Sequence, residues 1–139
     1  MVYAIKALVT DPDAESFHFA EQKTMYGGRQ IRRGDTIFVF SSENHGGSGL
    51  IARGIVVSAE AVPKRPGPER QTPRVSIRVT RTADAVKPLG RSELKTFADW
   101  NDGRPETELN FKFYRQATDK IVGISDATAA FLSSFCEAS

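Results

Sequence analysis

Gly34-Asp35 launches a run of β-branched and aromatic residues, Thr36-Ile37-Phe38-Val39-Phe40, which ends at Ser41-Ser42. Glu43-Asn44-His45-Gly46-Gly47-Ser48 follows, and then a second run of the same kind, Gly49-Leu50-Ile51-Ala52-Arg53-Gly54-Ile55-Val56-Val57. Two such runs joined by glycine-rich residues predict a β-hairpin, so a sheet must stand at the centre of the fold. Glycines at 46, 47 and 49 permit backbone angles closed to other residues and let the loop approach a ligand closely. Ser41 and Ser42 sit where the first strand ends, in position to offer hydroxyls to whatever enters.

The remaining pattern adds short strands and a few short helices. Val2–Val9 reads as an opening strand that stops at Asp11-Pro12-Asp13. Ala14–Lys23 fits a helical turn or two, closed by Tyr26-Gly27-Gly28. Pro63, Pro66 and Pro68 place a loop after the second hairpin strand, because proline has no ladder donor. Arg74–Thr82 alternates, with Val75, Ile77 and Val79 on one face, as a half-buried strand should. Leu109–Tyr114 alternates likewise, which predicts that Phe111 and Phe113 share one core with Val75, Ile77 and Val79. Ser92 can cap a helix through about Trp100; Ile121–Ile124 is a short apolar strand; Ser125 caps a last helix over Asp126–Phe135. The elements predict a single α+β domain over 1–139. About five or six strands in a small mixed β-barrel, with two or three short flanking helices, would bury such short strands without exposed edges. The ten- to fifteen-residue helices of a doubly wound α/β fold are missing.

Charge is unevenly spread although the net value is only +2. Residues 29–81 carry a balance of +6, nine of their ten cations being arginine, while the flanking parts each carry −2. Arginine presents a planar fork of donors suited to phosphate and base edges, so a polyanion partner is one reading of the run; a solvated basic face is the other. Cys136 is the only cysteine, which excludes an intramolecular disulfide and fits a reducing cytoplasm. No apolar run approaches the roughly 20 residues that span a bilayer, and the N-terminus lacks a secretory leader. A cytoplasmic protein without a membrane partner is expected.

The hairpin resembles the central hairpin of PUA-like barrels, above all EVE domains and their YTH and ASCH relatives. Gly34-Asp35, Phe40-Ser41-Ser42 and Gly49 through Val57 take the family's places there. Met25-Tyr26-Gly27-Gly28-Arg29-Gln30 is similar to its Trp-x-Gly-x-Arg-Asn segment, with Met25 where tryptophan usually stands. Tyr114-Arg115-Gln116, Ile121–Ile124 and Ser125 onward match its C-terminal run. The opening strand departs from the family, with Leu8-Val9-Thr10-Asp11-Pro12 in place of a Lys-Ser-Glu-Pro ending.

The resemblance implies a non-catalytic module that binds DNA or RNA and takes a nucleobase, modified or unmodified, into a pocket. Extruding a base costs a few kcal/mol, offset by stacking at roughly 1–3 kcal/mol per base and by hydrogen bonds to its edge. Base-binding candidates are Tyr26, Ser41, Ser42, Asn44, Trp100, Tyr114, Arg115 and Gln116. Arg29, Arg32, Arg33 and His45 are the phosphate-facing candidates. Each also has a plain structural role open to it: Trp100 as a packing anchor, Tyr114 and Arg115 as sheet-edge partners, the serines as donors to their own loop.

Catalytic signals are sparse. His18 and His45 are the only histidines, no Cys, His and carboxylate spacing fits zinc or calcium, and neither metal nor cofactor is expected. His45-Gly46-Gly47 is similar to the oxyanion loop of some esterases, but no Gly-x-Ser-x-Gly elbow accompanies it. The alternatives to a nucleic-acid module are a small hydrolase or nucleotide-processing enzyme using the same cleft, and a protein-interaction domain.

Overall fold

Strand β1 (Val2–Ala7) lies at the centre of the sheet, because every residue from Tyr3 to Ala7 is buried. A computed structural model of the chain describes residues 1–67, 71–115 and 119–138. Around β1 stand β2 (Ser16–Met25), β3 (Thr36–Ser41), β4 (Gly49–Ala61), β5 (Arg74–Ala85), β6 (Ile121–Ile124) and β7 (Cys136–Glu137). Their order in one sheet is β2-β6-β1-β3-β4-β5-β7. β1 runs parallel to β3 and antiparallel to β6, while β3, β4 and β5 form an antiparallel meander. Helices α1 (Arg91–Leu94), α2 (Pro105–Asn110) and α3 (Asp126–Ser133) complete the α+β fold.

The barrel expectation is corrected by this topology. A curled sheet of seven strands replaces a closed barrel of five or six. β2 divides its length between two neighbours: Ser16 to Lys23 pair with β5, and only Thr24 and Met25 reach β6. β7 adds a further strand outside β5 through Asp84 and Ala85.

Period-two alternation sends the two faces of the sheet into two cores. Tyr3, Ile5, Ile37 and Val39 join Phe17, Phe19, Val75, Ile77 and Val79 inside the curl. Ala4, Phe38 and Phe40 face outward, onto Leu94, Leu109, Phe113 and Leu132 of the helical layer. The expected single core is therefore split: Phe113 belongs to the second cluster and Phe111 is only half-buried.

Two segments change type. Ala14–Lys23, expected to be helical, lies almost wholly in β2, where Phe17 and Phe19 alternate with exposed His18 and Ala20. Leu109–Tyr114, expected to be a strand, is the end of α2 followed by a π-helical turn, Phe111–Arg115. Pro105 at the first helical position starts α2, where its missing N–H costs nothing. Leu109 and Phe113, four apart, then stack on the same face. The helix expected after Ser92 shrinks to α1, which begins two residues earlier and is capped by the Glu93 carboxylate on the Gly90 amide at 2.7 Å. Cys136 lies beyond α3, on β7.

Candidate functional site

The parallel strands β1 and β3 end side by side at Ala7 and Ser41, and a polar network closes over their C-terminal ends. Lys6 starts it. Its position in β1 directs the side chain to the helical side, where it is fully buried. Its Nζ donates to the Phe113 carbonyl at 2.7 Å, stands 3.6 Å from Asp119 Oδ1 and lies 4.5 Å from the Tyr114 ring centroid. Burial pushes the Lys6 ammonium below the usual lysine range, against the pull of the Asp119 and Glu43 carboxylates.

Ser42 fixes the turn that follows β3. Its amide donates to the Ala7 carbonyl at 2.9 Å, joining the two strand ends. Its hydroxyl donates to Asp119 Oδ1 at 3.0 Å and accepts from the Asn44 amide at 3.3 Å, capping a single 3-10 turn over Glu43–His45. His45 Nε2 is 3.4 Å from Asp119 Oδ2. The Glu43 carboxylate accepts the Tyr114 hydroxyl at 3.1 and 3.0 Å and the Arg91 amide at 2.7 Å. Arg91 also donates to Asn44 Oδ1 at 3.0 Å, with its guanidinium 5.5 Å from the Tyr114 ring. Burial first, and then the Glu43 carboxylate, raise the Tyr114 phenol far above its ordinary range, so it remains a donor.

Two of the loop glycines, Gly47 and Gly49, stand where the chain itself leaves no space for a side chain. A Cβ at Gly47 would lie 2.2 Å from Ser41 Oγ, and one at Gly49 would lie 2.3 Å from the Leu89 carbonyl. Both positions are filled by the chain's own atoms.

The π-helical turn carries a second group on its other side. Phe111 packs edge-on against Tyr26 at 6.5 Å and Trp100 at 5.5 Å. These two rings keep 39% and 38% of their surface exposed, unusual for aromatic residues. Lys112 Nζ stands 4.9 Å over the Tyr26 ring, and the Arg115 guanidinium 5.2 Å over Trp100. Tyr26 has φ +53°, a left-handed conformation that costs a non-glycine residue on the order of 1–3 kcal/mol. A cleft of about 230 Å³ opens beside Trp100 and Phe111.

The structure thus divides the expected site residues between two groups. Ser42, Asn44, His45 and Tyr114 meet in the network at the strand ends. Ser41 is buried behind them, against Gly47. Tyr26, Trp100 and Arg115 belong to the aromatic group across the π-helical turn. Gln116 lies outside the described residues, as does Arg70 of the basic run. Arg29 lies in the 3-10 turn Gly28–Gln30 and lines a separate basic cleft. Arg32 and Arg33 are exposed, the Arg32 amide donating to Asp35 Oδ2 at 2.9 Å.

Four members of the network escaped sequence reasoning: Lys6, Glu43, Arg91 and Asp119. Only Lys6 left a signal, as a cation set among apolar residues of a strand whose two faces are both covered. Among the described residues no group of three or more His, Cys, Asp or Glu could hold a metal ion. No helix among them is long and apolar enough to cross a membrane.

The architecture, a curled mixed sheet backed by short helices with β1 and β3 parallel at its centre, is shared by several solved structures. The DUF55 domain of human thymocyte nuclear protein 1 superposes with a TM-score of 0.62 at 15% identity, over 96% of this chain and 97% of that one. Human THYN1 protein in complex with 5-methylcytosine-containing DNA gives 0.64 at 14% identity, over 96% and 95%. A hypothetical protein from Leishmania major gives 0.61 at 14% identity, over 96% and 92%. Likeness at this level of identity is a likeness of fold. No family model matches the sequence, and comparison with curated proteins yields no match.

Proposed function

We propose that the domain is a non-catalytic nucleic-acid-binding module that takes a nucleobase, modified or unmodified, at the ends of β1 and β3. One observation carries the reading: Ser42, Glu43 and Asn44 are locked to Tyr114 and Lys6 in a single rigid network. Base reading needs donors and acceptors fixed in advance, because each group held in place costs less ordering on binding. Asn44, His45 and Arg91 offer the exposed edge of that network; Ser42 and Glu43 hold them. Across the π-helical turn, Tyr26 and Trp100 offer exposed rings beside a cleft of their own, suited to stacking a neighbouring base rather than the one at the strand ends. The fold supports the assignment, since human THYN1 protein has been solved with 5-methylcytosine-containing DNA.

The test compares an oligonucleotide carrying an unpaired base with the same oligonucleotide abasic at that position. Asn44→Ala should weaken binding to the first by about 0.5–1.5 kcal/mol, one neutral hydrogen bond, and leave binding to the second unchanged. Equal losses on both would mean that the network does not touch the base.

A further inference from the structure

Lys23 of β2 stands opposite Arg74 of β5 in the strand register. Together with Arg29, Lys64 and Arg65 they line a cleft of about 540 Å³ between the Gly28–Gln30 turn and residues 62–65 and 71–73. Glu21 is the single carboxylate among the described residues that line it. That carboxylate is already engaged, with Arg65 Nη2 at 3.6 Å, while Arg74 Nη1 donates to the Glu21 carbonyl at 2.9 Å. These bonds fix the wall. No carboxylate among the described residues pairs with Lys23, Arg29 or Lys64.

The cleft is joined to the network at the strand ends by two residues of chain. Thr24 and Ile121 pair in parallel, which sets the preceding residues, Lys23 and Lys120, close together. Burial and the neighbouring Lys23 charge both lower the Lys120 ammonium. The Lys120 carbonyl accepts from the Lys6 amide at 3.2 Å, and Asp119, its chain neighbour, bonds Ser42 at 3.0 Å. Lys23 and Lys120 therefore connect the open cleft with the edge of the candidate base site, where the Asp119 carboxylate follows.

We infer that this cleft, lined by Lys23, Arg29, Lys64, Arg65 and Arg74, holds phosphates of the nucleic-acid backbone flanking the nucleotide read at the strand ends. A concave surface with several cations of one sign focuses the field on a polyanion. Phosphate-directed bonds set position and register and carry no sequence information of their own. The inference rests on the reading of the domain as a nucleic-acid binder, and it does not require that a base be recognised.

Arg29→Ala with Lys64→Ala removes two charges that pair with no carboxylate among the described residues, so folding is expected to be untouched; thermal unfolding checks this. The probe is a fluorescein-labelled duplex DNA of about 12 base pairs, titrated over a series of salt concentrations. The slope of log affinity against log salt should flatten by about 1.8, roughly 0.9 for each phosphate left unneutralised. Binding to base-bearing and abasic probes should weaken by the same factor. An unchanged slope overturns the inference, and if the preference for the base-bearing probe persists, the base reading survives that failure. Absence of the preference in the wild-type protein, with the slope effect intact, would sink the base reading and leave the cleft standing. Inorganic tripolyphosphate serves as the second arm. It should displace the duplex only weakly, and tighter binding of tripolyphosphate than of duplex would make this a site for free phosphates and overturn the assignment.

Discussion

Lys6 stands between Ile5 and Ala7 on a strand covered on both sides, a place where an ammonium is tolerated only if it is bonded. The Phe113 carbonyl, the Asp119 carboxylate and the Tyr114 ring meet that need, so one side chain ties β1 to the π-helical turn and to the residues before β6. Glu108 plays a like part in the helical layer. It accepts the Ser125 hydroxyl at 2.6 Å, the Ser125 amide at 3.0 Å, the Thr128 hydroxyl at 2.8 Å and Lys112 Nζ at 3.0 Å. Burial raises its carboxyl, but these bonds outweigh burial and hold it below its ordinary 4.5. Because the folded value is the lower one, the stabilisation is complete above that pH and is lost as pH falls through the folded value. Glu108→Gln should cost about 1–3 kcal/mol at neutral pH. The difference from the wild-type protein should shrink at about pH 3. Urea unfolding at the two pH values checks this, and a constant difference would contradict it. Neither residue's role was legible in the sequence, because each depends on partners distant along the chain.

At the scale of elements, what could be read was what the local pattern determines alone. β3 and β6 fall at the residues expected of them, since β-branched and aromatic runs bounded by turn residues admit few alternatives. Ser125 caps α3 as its position before Asp126 suggests, accepting the Thr128 amide at 3.2 Å. The two failures differ in cause, and the first is a matter of spacing. Apolar residues at i, i+2 and i+4 satisfy a strand, yet the i, i+4 pair satisfies a helix as well. Leu109 and Phe113 took the helical option because Pro105 starts a helix and the helical layer needs their bulk. Phe17 and Phe19 took the strand option because β5 offers them a partner. The hairpin loop was expected to need glycine for backbone angles closed to other residues, and Gly46 and Gly49 adopt such angles, with φ +81° and +89°. Gly49 has φ +89° and the Leu89 carbonyl where a Cβ would stand, so Gly49→Ala should destabilise the protein by about 2–4 kcal/mol, strain and overpacking together. Chemical denaturation measures it, and a loss within about 0.5 kcal/mol, the range of an ordinary surface substitution, would mean that the β4 start is not held as described.

For the whole molecule, the expected mixed α+β domain is found, whereas the closed barrel of five or six strands that the resemblance to EVE domains implied gives way to a curled sheet of seven. The candidate site was half legible. Ser42 and Tyr114 lay on segments that the resemblance marks and Asn44 and His45 on the loop after the first, whereas Glu43, Arg91 and Asp119 took their places only when the fold brought β1, α1 and the residues before β6 to the same strand ends. The basic run resolves in part into one cleft, with Arg29, Arg65 and Arg74 joined there by two lysines. The central claim is that a base, and not the backbone alone, is bound beside this network. It is tested most directly by following the backbone amide resonances while titrating two oligonucleotides identical except for one unpaired base, present in the first and abasic in the second. The base-bearing strand should bind more tightly by about 1–3 kcal/mol, the worth of one stacked base, with the largest shifts at Asn44, His45, Arg91 and Tyr114. Equal affinities, with shifts confined to the basic cleft, would contradict it.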